Sequence, residues 1–184
     1  MPFRLLGISG ALRRASTNTA LIRAAGALAG DDVAFSIADI DLPLYNGDVE
    51  DAGYPEKVTE FVEAIRAADA IVISTPEYNK GLSGALKNAL DWQSRFAPGP
   101  LRGKPVAIMS ATGGFAGGQV SQFTLRHCLT PFGCHVLASP QVHVGSNDKE
   151  GIFVNGELAD PKTRGYVADL MKALRELAAL HAPR

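Results

Sequence analysis

Residues 70–82 read A-I-V-I-S-T-P-E-Y-N-K-G-L, and this stretch decides the fold. Its first five residues form an apolar run rich in β-branched side chains, which predicts a strand buried on both faces. Pro76 ends the strand, because proline lacks the N–H that a sheet ladder needs. Ser83 is the predicted N-cap of a helix with apolar positions at Leu82, Leu86, Ala89 and Leu90. The polar loop between strand and helix therefore lies where open α/β sheets bind ligands.

Strands and helices alternate along the rest of the chain. We predict further strands at Phe3–Ser9, Val33–Ala38, Pro105–Met109 and His135–Leu137, the last with an extension through Val142–Val144. Helices are predicted near residues 20–28, 55–65, 83–92, 119–131 and 161–177. Asp160 is the predicted N-cap of the last one, followed by proline at the first helical position. Residues 39–54 hold proline and glycine breaks and several acids, which predicts a long surface loop. Alternating strands and helices indicate a parallel sheet covered on both faces.

The number of strands selects the arrangement. Five strands favour a flavodoxin-like three-layer α/β/α sandwich, with a five-stranded parallel sheet of order 2-1-3-4-5, over the six-stranded dinucleotide fold. In that order the loops after strands one, three and four meet at one edge of the sheet. These loops carry the unusual chemistry of the chain, so we predict a single site there. The 184 residues, 1–184, are predicted to form one domain.

The overall composition excludes several classes of function. A formal net charge of −1 gives no general attraction to nucleic acid or to anionic membranes. No apolar run approaches the ~20 residues of a membrane span, and Arg4 interrupts any secretory signal. Two cysteines imply no disulfide framework, so we expect a cytoplasmic location. The pairs His127-Cys128 and Cys134-His135 lack zinc-site spacing, so no metal is predicted.

The loop after the first strand opens a helix, whose N-terminus favours an anion. Arg13 and Arg14 add positive charge there, and Ser16, Thr17 and Asn18 add short hydrogen-bond donors. One interpretation is a capped helix start with solvated arginines. Two arginines at the positive end of a helix dipole should repel it, which favours an anion between them. The P-loop, dinucleotide and nucleophile-elbow motifs are absent from the chain.

The loops after the third and fourth strands suit a flat ligand. Glu77, Tyr78 and Asn79 offer a carboxylate, an aromatic ring and an amide, the usual partners of a heterocycle with hydrogen-bonding edges. A surface turn that uses Asn79 for backbone reasons explains the same residues. Gly113 and Gly114 allow the backbone to approach a ligand closely, although glycine can also serve a turn alone.

Three segments together resemble a known family, the NADPH-dependent FMN reductases, which include quinone, chromate and azo-dye reductases of flavodoxin-like fold. The resemblance rests on G-A-L-R at residues 10–13 with Ser16 and Asn18, on T-P-E-Y-N at 75–79, and on L-K-N-A-L-D-W at 86–92. It implies hydride transfer from NAD(P)H to FMN, and then electron delivery to a quinone or to a similar small acceptor. Since the cofactor carries this chemistry, no catalytic side chain is predicted.

The resemblance also assigns roles to residues. It implies that Arg13, Ser16 and Asn18 hold the FMN phosphate, with Thr17 beside them. Pro76, Glu77, Tyr78 and Asn79 would line the ribityl chain and the isoalloxazine, and Thr112, Gly113 and Gly114 would close over the ring. Family members usually carry serine where this chain has Ala11, which removes one phosphate donor.

Members of this family commonly form dimers or tetramers with the flavin near the subunit interface. We expect a homodimer or homotetramer, with Trp92 exposed at the contact because Lys87, Asn88 and Asp91 surround it in sequence. Two alternatives stay open. A flavodoxin-type electron carrier would normally have a strongly acidic surface and a T-x-T-G-x-T first loop, which this chain lacks. A binding module without enzymatic activity is hinted at only by Ala11.

Overall fold

A parallel β-sheet forms the centre of the protein in a computed structural model that describes residues 2–181. Its strands are β1 (Phe3–Ser9), β2 (Val33–Ile37), β3 (Ala70–Thr75), β4 (Pro105–Ala111), β5 (His135–Val136) and β6 (Val142–Val144). The order is β2-β1-β3-β4-β5, and β6 also pairs with β4, beyond β5 on the same edge. The predicted strand order is therefore confirmed, and the predicted extension of the fifth strand is a separate short strand.

Helices cover both faces of the sheet. They are α1 (Thr17–Leu28), α2 (Gly47–Asp51), α3 (Glu56–Ala67), α4 (Gly84–Gln93), α5 (Gln119–Leu129) and α6 (Pro161–His181). A short antiparallel hairpin of β7 (Phe153–Val154) and β8 (Glu157–Leu158) precedes α6. None of the helices in residues 2–181 is both long enough and apolar enough to span a bilayer.

The sheet separates two apolar cores. Side chains alternate along each strand, so Val72 of β3 packs with α1 and α6, whereas Ile71 and Ile73 pack with α3, α4 and α5. Every residue of β3 and β4 is buried. This confirms the prediction that the run at 70–74 is a strand covered on both faces.

Two predicted helix caps are confirmed by their hydrogen bonds. The Ser83 hydroxyl accepts a hydrogen bond from the backbone N–H of Leu86, at 3.2 Å, at the start of α4. The Asp160 carboxylate accepts one from the backbone N–H of Thr163, at 2.7 Å, at the start of α6. Hydrogen bonds from Thr163 to Asp160 hold the pKa of this carboxyl below its usual range.

The prediction that residues 39–54 form a surface loop throughout is wrong. This segment contains α2, whose N-cap Asn46 accepts a hydrogen bond from the backbone N–H of Asp48. Its first part is not superficial either, because Ile40 and Leu42 belong to the core beneath α3 and α4. A five-residue helix without a buried residue leaves no apolar periodicity in the sequence, which explains the error.

The expectation that Trp92 is exposed is also wrong. Its side chain is fully buried, and its Nε1–H donates to the carbonyl oxygen of Pro43 at 2.7 Å. The Tyr45 ring packs edge-on against it, with 5.0 Å between ring centroids. The neighbouring polar residues Lys87 and Asp91 point outward and form an ion pair. Residues 42–45 therefore cover Trp92 within the single subunit.

Candidate functional site

Three loops meet at the carboxyl ends of β1, β3 and β4 and enclose a pocket of about 370 Å³. We call it the carboxyl-edge pocket. Its lining consists of Ala11, Arg13, Ala15, Ser16, Thr17, Asn18, Pro76, Glu77, Tyr78, Ala111, Thr112, Gly113, Asn147 and Asp148. All of the predicted site residues line this pocket except Asn79 and Gly114. The strand order predicts that the loops after β1, β3 and β4 meet at one edge of the sheet, and in the structure they do.

The first and third loops are joined through Gly10. Its backbone N–H donates to the carbonyl oxygen of Ser74 at 2.7 Å, and its own carbonyl oxygen accepts from the Ser83 hydroxyl. A Cβ at this position would lie 3.0 Å from Cδ of Pro76. Glycine therefore allows the loop after β1 to lie directly against the end of β3.

The start of α1 forms one end of the pocket. Ser16 is the N-cap, and its hydroxyl accepts a hydrogen bond from the backbone N–H of Asn18 at 3.2 Å. The Thr17 hydroxyl accepts a hydrogen bond from Nδ2 of Asn147 at 2.7 Å, which holds the Asn147 side chain beside the start of α1. Arg13 is exposed and makes no ion pair within residues 2–181. Hydroxyls, a free guanidinium and the positive end of a helix dipole thus converge at this end.

The Asn18 side chain connects the start of α1 to two strands through hydrogen bonds. It is 3% exposed, and its Nδ2 donates to the carbonyl oxygen of Ala111 at 2.9 Å. Its Oδ1 accepts from the backbone N–H of Ala111 at 3.0 Å and from the Ser74 hydroxyl at 2.8 Å. The resemblance implies a phosphate contact for this residue. In the structure its amide oxygen and one amide hydrogen bind the ends of β3 and β4, and the phosphate contact stays a prediction.

Glu77 links the third and fourth loops. Its Oε2 accepts hydrogen bonds from the backbone N–H groups of Val120 and Ser121, at 3.1 and 3.2 Å. These are orphan donors in the first turn of α5, whose N-cap Gly118 has no side chain to satisfy them. Lys80 lies 3.6 Å from the other carboxylate oxygen. Glu77 therefore caps α5 from a neighbouring loop.

Tyr78 and Gly81 close a two-residue turn. Each donates its backbone N–H to the other's carbonyl oxygen at 3.0 Å, and Asn79 and Lys80 between them have φ values of 50° and 65°. Positive φ at both central positions is typical of a type I′ turn and favours asparagine at the first of them. This supports the backbone explanation of Asn79. Tyr78 itself is 57% exposed at the pocket wall.

The glycines after β4 divide into two kinds. Gly117 and Gly118 have φ values of 63° and 84°, and a Cβ on Gly118 would lie 2.7 Å from Cβ of Ser110. These two glycines are required by the turn. A Cβ on Gly113 would meet nothing closer than 4.0 Å, and one on Gly114 nothing closer than 3.6 Å. Gly113 therefore leaves open space at the pocket wall.

The comparison with known proteins agrees with this geometry. The sequence model of a family described as NADPH-dependent FMN reductase matches residues 3–149. The chain belongs to this family. It is accordingly an FMN-dependent NAD(P)H oxidoreductase, and the predicted family, enzyme class and cofactors are confirmed.

Individual relatives align along nearly the whole chain. An NAD(P)H-dependent FMN reductase of Pseudomonas aeruginosa is 41% identical over 94% of this chain and 93% of its own length. A quinone reductase of Escherichia coli is 36% identical over 94% of each chain. Among solved structures, the flavoenzyme NAD(P)H:(acceptor) oxidoreductase FerB of Paracoccus denitrificans has a TM-score of 0.87 and 29% identity, covering 97% of this chain and 98% of its own. Relatives named as reductases favour an enzyme over an electron carrier.

The residues of the carboxyl-edge pocket fit the FMN of this family. The phosphate needs donors and positive charge, which Ser16, Thr17, Arg13 and the start of α1 offer together. The flat ring needs an unobstructed wall, which the open space beside Gly113 provides. The donor set and the shape therefore agree with an FMN reductase.

Sequence reasoning missed the pocket residues Asn147 and Asp148. They follow β6, which pairs with the carboxyl end of β4, so they enter the same edge of the sheet. The backbone N–H of Asn147 donates to the carbonyl oxygen of Thr112 at 3.1 Å. The available signal was a polar run directly after the Val142–Val144 extension, which strand order alone places beside the fourth loop.

Proposed function

We propose that the chain passes electrons from NAD(P)H to a quinone through FMN held in the carboxyl-edge pocket. The observation that carries this proposal is the polarity of that pocket. Arg13, Ser16 and Thr17 line it at a helix N-terminus, and an exposed Tyr78 and the open space at Gly113 belong to the same lining. Relatives named as quinone reductases support the choice of acceptor.

Each end of the pocket has a binding role in this proposal. Arg13 gives charge-assisted hydrogen bonds to the phosphate, and the hydroxyls of Ser16 and Thr17 add neutral ones. Tyr78 and the backbone at Thr112 and Gly113 would hold the isoalloxazine ring. FMN, when bound, supplies the hydride acceptor of the reaction.

The protein contributes positioning rather than acid–base chemistry. The ionisable residues that line the pocket are Arg13, Glu77, Tyr78 and Asp148. The Glu77 carboxylate accepts hydrogen bonds from two backbone N–H groups at the start of α5, so its role is to cap that helix. We accordingly propose no side chain as nucleophile or general acid.

A second copy of the chain is proposed to cover the pocket. Large apolar side chains are exposed around this edge, with Phe115 at 94%, Leu44 at 82% and Tyr78 at 57% exposure. Such side chains are enriched where subunits meet and unfavourable in water. We propose a homodimer or homotetramer in the cytoplasm, where the free thiols of Cys128 and Cys134 would stay reduced. Light scattering of the FMN-loaded protein gives the mass, and an active particle of 19.4 kDa would contradict this assembly.

The test is a titration with FMN followed by an assay with NADPH and 1,4-benzoquinone. Arg13→Gln should weaken FMN binding by about 10- to 100-fold, since a hydrogen bond to a charged group contributes about 1.5–3 kcal/mol. Arg23→Gln, an exposed arginine on α1, is the matched control and should bind FMN like the parent protein. Equal affinities of parent and Arg13→Gln would remove Arg13 from the site. If free FMN is reduced faster than benzoquinone, free FMN and not a quinone is the preferred acceptor.

A further inference from the structure

A second and larger cavity lies at the opposite edge of the sheet. Its volume is about 660 Å³, and it is formed where β1 and β4 begin, before β3, and along the last turns of α6. We call it the amino-edge cleft. Because β1 runs for seven residues at about 3.3 Å each, the cleft is about 20 Å from the carboxyl-edge pocket. No single small ligand occupies both.

The cleft collects positive charge. Arg4, Arg102, Lys104 and Arg175 all line it. Two of them are neutralised in ion pairs, Arg4 with Asp69 at 2.7 Å and Arg175 with Asp32 at 2.6 Å. The other two, Arg102 and Lys104, have no carboxylate within ion-pair distance among residues 2–181. Two positive charges therefore remain in excess.

These charges still have hydrogen-bond donors to offer. Lys104 spends two of its three ammonium hydrogens on the carbonyl oxygens of Arg66 and Ala68, which leaves one. Arg102 is exposed, and its guanidinium makes no hydrogen bond within the part of the chain that the structure describes. Partial burial lowers the pKa of Lys104, because its charge is desolvated without a contacting carboxylate. A bound anion would compensate that desolvation.

The walls between these cations are apolar. Phe3, Ala68, Pro105 and Ala178 line the cleft. His181 also lines it and is held by stacking on His135, with 3.6 Å between ring centroids and 10° between planes. An apolar cavity of several hundred Å³ with a few convergent polar groups is typical of a small-molecule site.

We propose that the amino-edge cleft binds a small organic phosphate, independently of the FMN site. The excess of two positive charges matches a phosphate dianion better than a singly charged carboxylate. The guanidinium of Arg102 has the planar geometry that binds phosphate through two parallel hydrogen bonds. The apolar walls receive the organic part of the ligand, so inorganic phosphate alone uses only half of the site.

Calorimetric titration of the FMN-loaded protein with phenyl phosphate tests this proposal, because bound FMN blocks the other phosphate site. We expect saturable binding of one equivalent, with benzoate and inorganic phosphate each binding at least about tenfold more weakly. Arg102→Gln should weaken phenyl phosphate by about 10- to 100-fold, whereas the control Arg23→Gln should not change it. Arg102 is exposed, so this variant is expected to fold.

Any one of three results in these titrations would overturn the proposal. They are an absence of binding up to about 10 mM phenyl phosphate, equal affinity in the parent protein and Arg102→Gln, or benzoate binding as tightly as phenyl phosphate. Amide shifts in an NMR titration locate the ligand. Changes at Gly103 and His181 support the cleft, and changes confined to Gly113 and its neighbours contradict it.

Discussion

The carboxylate of Glu77 accepts a hydrogen bond from the backbone N–H of Val120 at 3.1 Å, although 43 residues separate them in sequence. This contact makes the loop after β3 the cap of the helix after β4. Glu77 therefore both lines the carboxyl-edge pocket and caps α5. A substitution there changes the stability of the protein and the shape of the pocket together.

The first prediction concerns this cap. Glu77→Gln keeps one acceptor oxygen but loses the negative charge that favours the N-terminus of α5, so we expect a loss of about 0.5–2 kcal/mol in the free energy of unfolding. Urea denaturation measures it. Glu63→Gln on the exposed face of α3 is the control, because its ion pair with Arg66 lies at the surface and contributes little. A Glu77→Gln variant as stable as the control would show that the cap has no energetic role.

The second prediction concerns the buried hydrogen bonds of the Asn18 side chain. Asn18→Ala leaves the Ser74 hydroxyl and both backbone groups of Ala111 without their partner in a buried site, so we expect a loss of about 2–4 kcal/mol. Thermal and urea unfolding of the apo-protein measure this without reference to FMN. Asn46→Ala, which removes the exposed cap of α2, is the comparison and should cost less, about 1 kcal/mol. The reverse ranking would contradict a structural role for Asn18.

These two residues mark where sequence reasoning ended. The strand order, the Ser83 and Asp160 caps and the meeting of three loops all follow from local patterns, namely β-branched runs, capping residues and alternation of elements. The partners of Asn18 lie 56 and 93 residues away and those of Glu77 lie 43 and 44 residues away, so no local pattern indicates them. Trp92 was misjudged for the same reason, because the segment that buries it precedes it by nearly fifty residues.

The third prediction concerns Trp92. Trp92→Phe keeps an aromatic ring but removes the Nε1–H that donates to Pro43, and it leaves space beside Tyr45. The Pro43 carbonyl keeps its hydrogen bond from Nδ2 of Asn88 at 2.9 Å. We therefore expect a loss of about 1–3 kcal/mol in the free energy of unfolding, from one lost hydrogen bond and the smaller ring together. Denaturation at two protein concentrations distinguishes this from a subunit contact. If Trp92 acts inside one subunit, the loss is the same at both concentrations, whereas a loss that grows on dilution would assign it to an interface.

The last prediction compares two glycines of one loop. Gly118→Ala should destabilise the protein by about 2–4 kcal/mol, because φ is 84° and the new Cβ would lie 2.7 Å from Cβ of Ser110. Gly113→Ala has no such conflict, with nothing closer than 4.0 Å to its Cβ, so its unfolding free energy should stay within about 1 kcal/mol of the parent. The same methyl group would project into the space proposed for the FMN ring, so Gly113→Ala should weaken FMN binding while it leaves the apo-protein intact. Unfolding of the apo-proteins and FMN titration of both variants separate the two effects. If Gly113→Ala binds FMN as tightly as the parent protein, the FMN ring does not lie against Gly113.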